Sequence, residues 1–115
     1  MTIVTKKQTH PKEETNMRKG LEKVMNLEAQ RSGNYFYESK NNKVTIEVFY
    51  HSTCIAGYDR DRRIGFAENR GFNTTSTNTA VGGAKFWLHQ HGYEVVSVEE
   101  FKALTGADCR VGGWA

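Results

Sequence analysis

The sequence YFYESKNNKVTIEVFYH occupies residues 35–51 and decides the fold of this chain. Residues 35–39 and 43–51 are rich in aromatic and β-branched side chains, which favour strands. Asn41 and Asn42, between the two runs, accept the positive φ angles of a tight turn. The pattern therefore predicts a β-hairpin.

Alternation along the second strand predicts how its faces are used. Apolar side chains share one face: Val44, Ile46, Val48 and Tyr50. Side chains of mixed character share the other: Thr45, Glu47, Phe49 and His51. This alternation is typical of an antiparallel sheet with one face buried under helices and the other mixed.

Helical patterns flank the hairpin. Residues 11–31 carry apolar side chains at helical spacing, with Pro11 at a favourable first position and Gly33 as a stop. After the hairpin, a second helix is expected from Asn78 or Thr79 through about His91.

A short strand at 93–97 and a third helix at 98–105 complete the regular pattern. Ser97 and Glu100 form a capping box at the start of this helix, and Gly106 ends it. Residues 52–79 are irregular, with a short strand around 63–67, and predict a long loop.

One domain accounts for all 115 residues. The prediction is an α+β fold: a small antiparallel sheet, made of the hairpin and one or two short strands, with about three helices packed on it. Residues 1–9 form a flexible arm or an edge strand, and residues 107–115 form a C-terminal tail.

Composition excludes several classes. Aromatic residues make up 11% of the chain and the net charge is only +3, which favours a folded core over disorder. No apolar run reaches 18 residues, and residues 1–9 lack the apolar core of a secretory signal. We therefore expect a cytoplasmic protein without membrane contact, in which Cys54 and Cys109 are reduced thiols.

An arginine-rich stretch is the principal candidate for partner binding. Guanidinium groups match phosphates and carboxylates, and an aromatic ring can stack on a base. The candidate residues are Tyr58, Arg60, Arg62, Arg63 and Arg70. The alternative is a solvated loop in which Asp59 and Asp61 neutralise the arginines. Trp114, on a glycine-hinged tail, either folds back on the core or anchors a partner.

A second candidate site, for a small anion, lies at the start of the second helix. Exposed helical N–H groups, glycines and a lysine suit a phosphate or nucleotide. The candidates are Thr77, Asn78, Gly82, Gly83 and Lys85. The spacing is not that of a Walker loop, and the alternative is that the glycines allow close helix–strand packing.

Metal and catalytic patterns are weak. His51 and Cys54 form an H-x-x-C pair, but His89 and His91 diverge on a helix and Cys109 is distant in sequence. Asp59, Asp61 and Glu68 could hold Mg²⁺ for phosphodiester cleavage, although acids among arginines usually pair with them. No catalytic residues, cofactor or metal are therefore predicted.

These observations favour a small non-enzymatic binding or inhibitory protein that docks onto an acidic or nucleic-acid-related partner. They are also compatible with a phage-type protein that acts on host nucleic-acid machinery. A nucleic-acid-binding module is the first alternative, and a small metal-dependent nuclease or anion-binding protein is the second. The sequence leaves open whether the partner is protein or nucleic acid and whether the chain forms a homo-oligomer.

Overall fold

The computed structural model describes residues 18–112, which form three helices and a six-stranded sheet. The helices are α1 (Lys19–Met25), α2 (Thr75–Gln90) and α3 (Val98–Thr105). The strands are β1 (Arg31–Ser32), β2 (Tyr35–Lys40), β3 (Thr45–Tyr50), β4 (Thr53–Asp59), β5 (Ile64–Ala67) and β6 (Glu94–Val95). The predicted α+β class is confirmed, with a larger sheet than expected.

The strands lie in the sheet in the same order as in the chain. Neighbours from β1 to β5 are antiparallel, and β6 returns parallel to β5 after the α2 crossover. The predicted hairpin is confirmed as β2 and β3, with Tyr35 opposite Tyr50 and Lys40 opposite Thr45. Its turn contains Asn41 and Asn42 at φ 56° and 57°.

The long loop predicted for residues 52–79 is wrong at residues 53–59, which form β4, whereas the short strand predicted around 63–67 is present as β5. β4 is buried along its whole length and pairs with β3, and β5 is buried as well. The charged residues that suggested a loop are concentrated between these strands, at positions 60–63, where Arg63 has φ 58°. The charged residues therefore lie in a short turn, and both strands beside it are regular.

Both faces of the sheet are buried, which corrects the expectation of one mixed face. On the first face, Ile46 and Val48 pack with side chains of α1 and α2. On the second, Phe49 packs with Phe66 of β5 and Phe101 of α3. The face of β3 that was expected to be mixed is therefore part of a second core. Its polar residues Thr45 and Glu47 are buried as well.

Local capping decides the helix boundaries. α1 ends at Met25 instead of residue 31, because Leu27 adopts φ 61°. The expected start of this helix, from Pro11, and the predicted arm lie outside the described residues. α2 begins earlier than expected, since the Thr74 hydroxyl accepts the N–H of Thr77 at 3.2 Å.

The ends of α2 and α3 agree with the sequence. Gly92 follows α2 at φ 78°, and the Ser97 hydroxyl accepts the N–H of Glu100 at 3.1 Å before α3 ends at Gly106. Within residues 18–112, no helix has both the length and the apolar character needed to cross a bilayer.

Close packing between α2 and the sheet depends on Gly65 of β5. A Cβ atom at this position would lie 2.7 Å from Leu88 Cδ2 and 2.8 Å from the Gly57 carbonyl oxygen. Contacts this short are repulsive, so only glycine lets Leu88 reach the sheet surface. This approach fixes the depth at which α2 lies on the first face.

Replacement of Ile46 tests the position of this core. Ile46 is fully buried, and Ile46→Ala removes apolar contacts and leaves a cavity, so we expect a loss of about 2–4 kcal/mol in unfolding free energy. Chemical denaturation measures this change. Val111→Ala, at a side chain that is 48% exposed, is the control and should change stability little. An unchanged midpoint for Ile46→Ala would contradict the assigned face.

Candidate functional site

Two turns at one end of the sheet bring most of the predicted arginines together. Because Thr45 pairs with Asp59, the β2–β3 turn and the β4–β5 turn are neighbours. The Arg60 N–H donates to the Val44 carbonyl at 2.8 Å, and its guanidinium donates to the Lys43 carbonyl at 3.2 Å. We call residues 40–43 and 60–63 the basic turns.

The basic turns carry five cationic side chains and one acidic side chain, all exposed. The cations are Lys40, Lys43, Arg60, Arg62 and Arg63, and the acid is Asp61. Arg60, Arg62 and Arg63 were predicted from the sequence, whereas Lys40 and Lys43 were not. The pairing of β3 with β4 places the two lysines beside the arginines. The sequence could have indicated this proximity only if β4 had been predicted as a strand.

A buried carboxylate shapes the second basic turn. Asp59 Oδ1 accepts the N–H groups of Asp61 and Arg62 at 3.1 and 2.8 Å. Its Oδ2 accepts the Thr45 hydroxyl at 3.0 Å and an Arg62 guanidinium N–H at 3.4 Å. These bonds satisfy a carboxylate that is fully buried, so Asp59 organises the turn.

Arg63 is held by aromatic neighbours at the end of α2. Its guanidinium lies 4.2 Å from the centre of the Tyr93 ring and donates to the His91 carbonyl. The His91 ring stacks on Trp87 with the ring centres 3.9 Å apart. Arg63 therefore combines an exposed charge with a structural contact.

Tyr58 and Arg70 do not join the basic turns. Tyr58 is 2% exposed, its hydroxyl donates to the Met25 carbonyl at 2.6 Å, and burial raises its pKa. Its ring is therefore in the core, where a partner cannot stack on it. Arg70 lies beyond the far end of β5 and donates to the carbonyls of Cys54 and Cys109, at 2.9 Å each. Trp114 lies outside the described residues.

Three buried polar side chains meet on the second face of the sheet. Glu47 of β3, Cys54 of β4 and Cys109 have ligand atoms that all lie within 4.8 Å of one another. Glu47 accepts the N–H groups of Asp108 and Cys109 at 3.3 and 3.2 Å. Burial raises the pKa of Cys54, and its interaction with Cys109 raises it further.

The segment 107–112, which we call the C-terminal strap, lies across this cluster. Arg110 forms a bidentate ion pair with Glu38, at 2.8 and 2.7 Å, and lies over the Phe49 ring. The Arg110 carbonyl accepts the Cys54 N–H at 2.9 Å, and Gly112 donates to the Thr53 hydroxyl at 3.0 Å. The strap is therefore fixed to the sheet mainly by polar contacts.

A pocket of about 170 Å³ opens beside the strap, at the end of the sheet opposite the basic turns. Hydroxyl-bearing and aromatic side chains dominate its lining. The lining residues are Tyr50, His51, Ser52, Thr53, Ile55, Phe72, Thr74, Ser76, Thr77 and Gly112. The first turn of α2 therefore forms one wall of the pocket.

The predicted anion site is only partly assembled. Thr77 lines the pocket, and the Asn78 side chain donates to Asn73 Oδ1 at 2.8 Å. Gly82, Gly83 and Lys85 lie further along α2, because the helix begins at Thr75. A Cβ atom at Gly82 would meet nothing within 4 Å, so helix–strand packing does not explain this glycine.

The sequence-derived metal sets do not form either. Within the described residues, the group that converges contains both cysteines but not His51, His89 or His91. Asp59 is used in its turn, and Glu68 Oε2 accepts the Val98 N–H at 2.9 Å at the start of α3. Glu47 was not predicted as a site residue, because the alternation along β3 placed it on the face that was expected to be mixed.

Comparison with protein-family models, curated proteins and solved structures finds no match for this chain. Functional inference therefore depends on the residues themselves.

Acidification tests the attachment of the strap. The hydrogen bonds from Arg110 hold the pKa of Glu38 below its usual range. A lowered folded-state pKa means that the pair stabilises the strap above the ordinary carboxyl pKa of about 4.3, and that this contribution disappears as pH falls through the folded value. We expect greater amide-exchange protection of the strap in the wild type than in Glu38→Gln at neutral pH.

This difference should shrink as the pH falls below about 4.3. Protection of the α2 amides at Ala84, Trp87 and Leu88, which pack on the other face of the sheet, provides the internal control. A difference in strap protection that is independent of pH would show that the Glu38–Arg110 pair does not hold the strap.

Proposed function

We propose that this chain is a non-enzymatic binding or inhibitory protein that uses its basic turns to dock onto an acidic protein surface. The observation that carries the proposal is the grouping of five exposed cations around one exposed acid on two adjoining turns. Charged groups arranged in this way steer association with an oppositely charged surface.

The internal contacts of the turns divide the cations by role. Arg62 pairs with Asp59 at 3.4 Å, Arg63 stacks on Tyr93, and Lys40 lies 3.8 Å from Glu47. These three positions support the turn as well as carrying charge. The Arg60 guanidinium donates to the main-chain carbonyl of Lys43, and within residues 18–112 neither Lys43 nor Arg60 forms an ion pair, so no described carboxylate neutralises their charges.

A moderate charge favours a protein partner over nucleic acid. The whole chain has a net charge of +3, whereas strong nucleic-acid binders usually concentrate more positive charge on one face. In addition, Tyr58 is unavailable for base stacking because its ring is buried. Nucleic acid is therefore the competing class of partner in the test.

The test compares the double variant Lys43→Gln/Arg60→Gln with the control Lys85→Gln/Lys102→Gln. Both variants lose two exposed cations, but the control residues lie on helices. Solvated positions of this kind usually cost under about 0.5 kcal/mol each, so both variants should fold. Binding is measured with a poly-glutamate peptide and with a DNA duplex over a salt series.

We expect the basic-turn variant to bind the peptide at least tenfold more weakly than the control does. Preferential binding of the duplex, with a salt slope that falls by about 2 in the basic-turn variant, would favour a nucleic-acid module instead. Equal binding by the two variants would show that the basic turns are only a solvated surface.

The pocket supports a second candidate function, the binding of a small ligand. Its volume of about 170 Å³ is below the roughly 300–1,000 Å³ of drug-sized sites, so it suits a small oxyanion or a short side chain. Ser52, Ser76 and Thr77 belong to its lining, and the N-terminal dipole of α2 favours negative charge there.

An NMR titration with inorganic phosphate tests this second candidate. Amide shifts should change at Thr75, Ser76 and Ser52, which belong to the pocket or its wall. The N-terminus of α3, where Glu68 already accepts the Val98 N–H, lies away from the pocket lining and should not respond. Equal shifts at both helix ends would show a general effect of the anion and would exclude a specific site.

A further inference from the structure

The cluster of Glu47, Cys54 and Cys109 is chemically distinct from every other part of the described core. Its three residues come from β3, β4 and the C-terminal strap, and each side chain is at most 1% exposed. Their two sulfur atoms and a carboxylate oxygen lie within 4.8 Å of one another. As a fully buried charge requires, the Glu47 carboxylate accepts the N–H groups of Asp108 and Cys109 and lies 3.8 Å from Lys40 Nζ.

We propose that Glu47, Cys54 and Cys109 form a binding site for a thiophilic divalent metal ion, with Zn²⁺ as the expected occupant. Thiolates and carboxylates are both common zinc ligands, and sulfur donors select zinc over magnesium or calcium. The proposal does not depend on the docking function proposed above, although Lys40 of the basic turns lies 3.8 Å from Glu47.

The distances suit such an ion. Zn–S bonds of about 2.3 Å and Zn–O bonds of about 2.1 Å place neighbouring tetrahedral ligand atoms roughly 3.5–3.8 Å apart. The observed upper limit of 4.8 Å is about one ångström longer. Small side-chain rotations can therefore close the site without separating β3 from β4. Three protein donors leave one position for water or another small ligand.

Neighbouring groups orient the three donors. Arg70 donates to the main-chain carbonyls of both Cys54 and Cys109 and thus holds the two cysteines in register. The Cys109 and Asp108 N–H groups bond to Glu47 and orient its carboxylate. Supporting contacts of this kind commonly fix the geometry of metal ligands.

Charge also balances around the proposed ion. The charges of two thiolates and Zn²⁺ cancel, and the Glu47 carboxylate is opposed by Lys40, whose Nζ lies 3.8 Å from Glu47 Oε2. Zinc binds the thiolate form of cysteine, so binding of the ion displaces the thiol protons and each thiolate then forms a bond to the metal.

The ion would connect the strap to the centre of the sheet. Cys109 is the sole donor from the strap, whereas Glu47 and Cys54 lie on adjacent central strands. The burial of the site implies that the ion enters while the strap is undocked. Metal uptake should therefore stabilise the strap as well as the domain.

Cobalt titration tests the proposal directly. Chelator-treated, reduced protein is titrated with Co²⁺ under anaerobic conditions, because thiolate ligands give a charge-transfer band that oxygen ligands do not. The variants are Cys54→Ser, Cys109→Ser and Glu47→Gln, and the control is His89→Gln, at an exposed position on α2. We expect one ion per chain, displacement of Co²⁺ by Zn²⁺, and proton release on binding.

The charge-transfer band should lose at least half of its intensity in each serine variant, persist in the histidine control and require at least tenfold more Co²⁺ in Glu47→Gln. A second measurement guards against variants that fail to fold: the thermal midpoint of the wild type should rise with added Zn²⁺ and fall back with chelator. A wild type without the band or the rise would overturn the proposal. The proposal would also be overturned if the reduced protein took up no metal ion and formed a Cys54–Cys109 disulfide when exposed to air.

Discussion

The pairing of β3 with β4, buried on both faces, is the constraint on which the rest of the structure depends. Apolar side chains fill most of this ladder, but every polar side chain within it must find a partner away from water. Asp59 finds its partners in the turn that it caps, and Glu47 finds them in the main chain of the strap. The two regions with functional potential are therefore the places where the buried ladder satisfies its polar groups.

This arrangement gives the two ends of the sheet different chemistry. At one end the Asp59 carboxylate is enclosed by its own turn, which leaves cationic side chains facing solvent. At the other end, Arg70 turns inward to main-chain carbonyls, and hydroxyl groups line the pocket. Arg63 and Arg70 are close in sequence but lie at opposite ends of β5. Arg63 is therefore exposed at the basic turns, whereas Arg70 bonds to main-chain carbonyls.

Features encoded by neighbouring residues could be predicted, and features that depend on distant residues could not. The Asn41–Asn42 turn, the Ser97 cap and the Gly106 stop each act within a few residues, and the structure has all three. β4 escaped prediction because its glycine and flanking charges resemble a loop, and only pairing with β3 makes it a strand. The approach of Cys109 to Cys54 depends on Arg70 and Glu47, so no local pattern could indicate it.

The stack of His91 on Trp87 gives the basic end a built-in optical reporter. The indole N–H of Trp87 donates to the Asn26 side chain at 2.7 Å, and one face of the indole contacts the His91 ring. The main-chain carbonyl of His91 also accepts a hydrogen bond from Arg63. Indole emission responds to the polarity and charge of the groups that touch the ring. A molecule that draws Arg63 away from this carbonyl would therefore change the fluorescence of Trp87, and a Trp114→Phe variant would separate this signal from that of the second tryptophan.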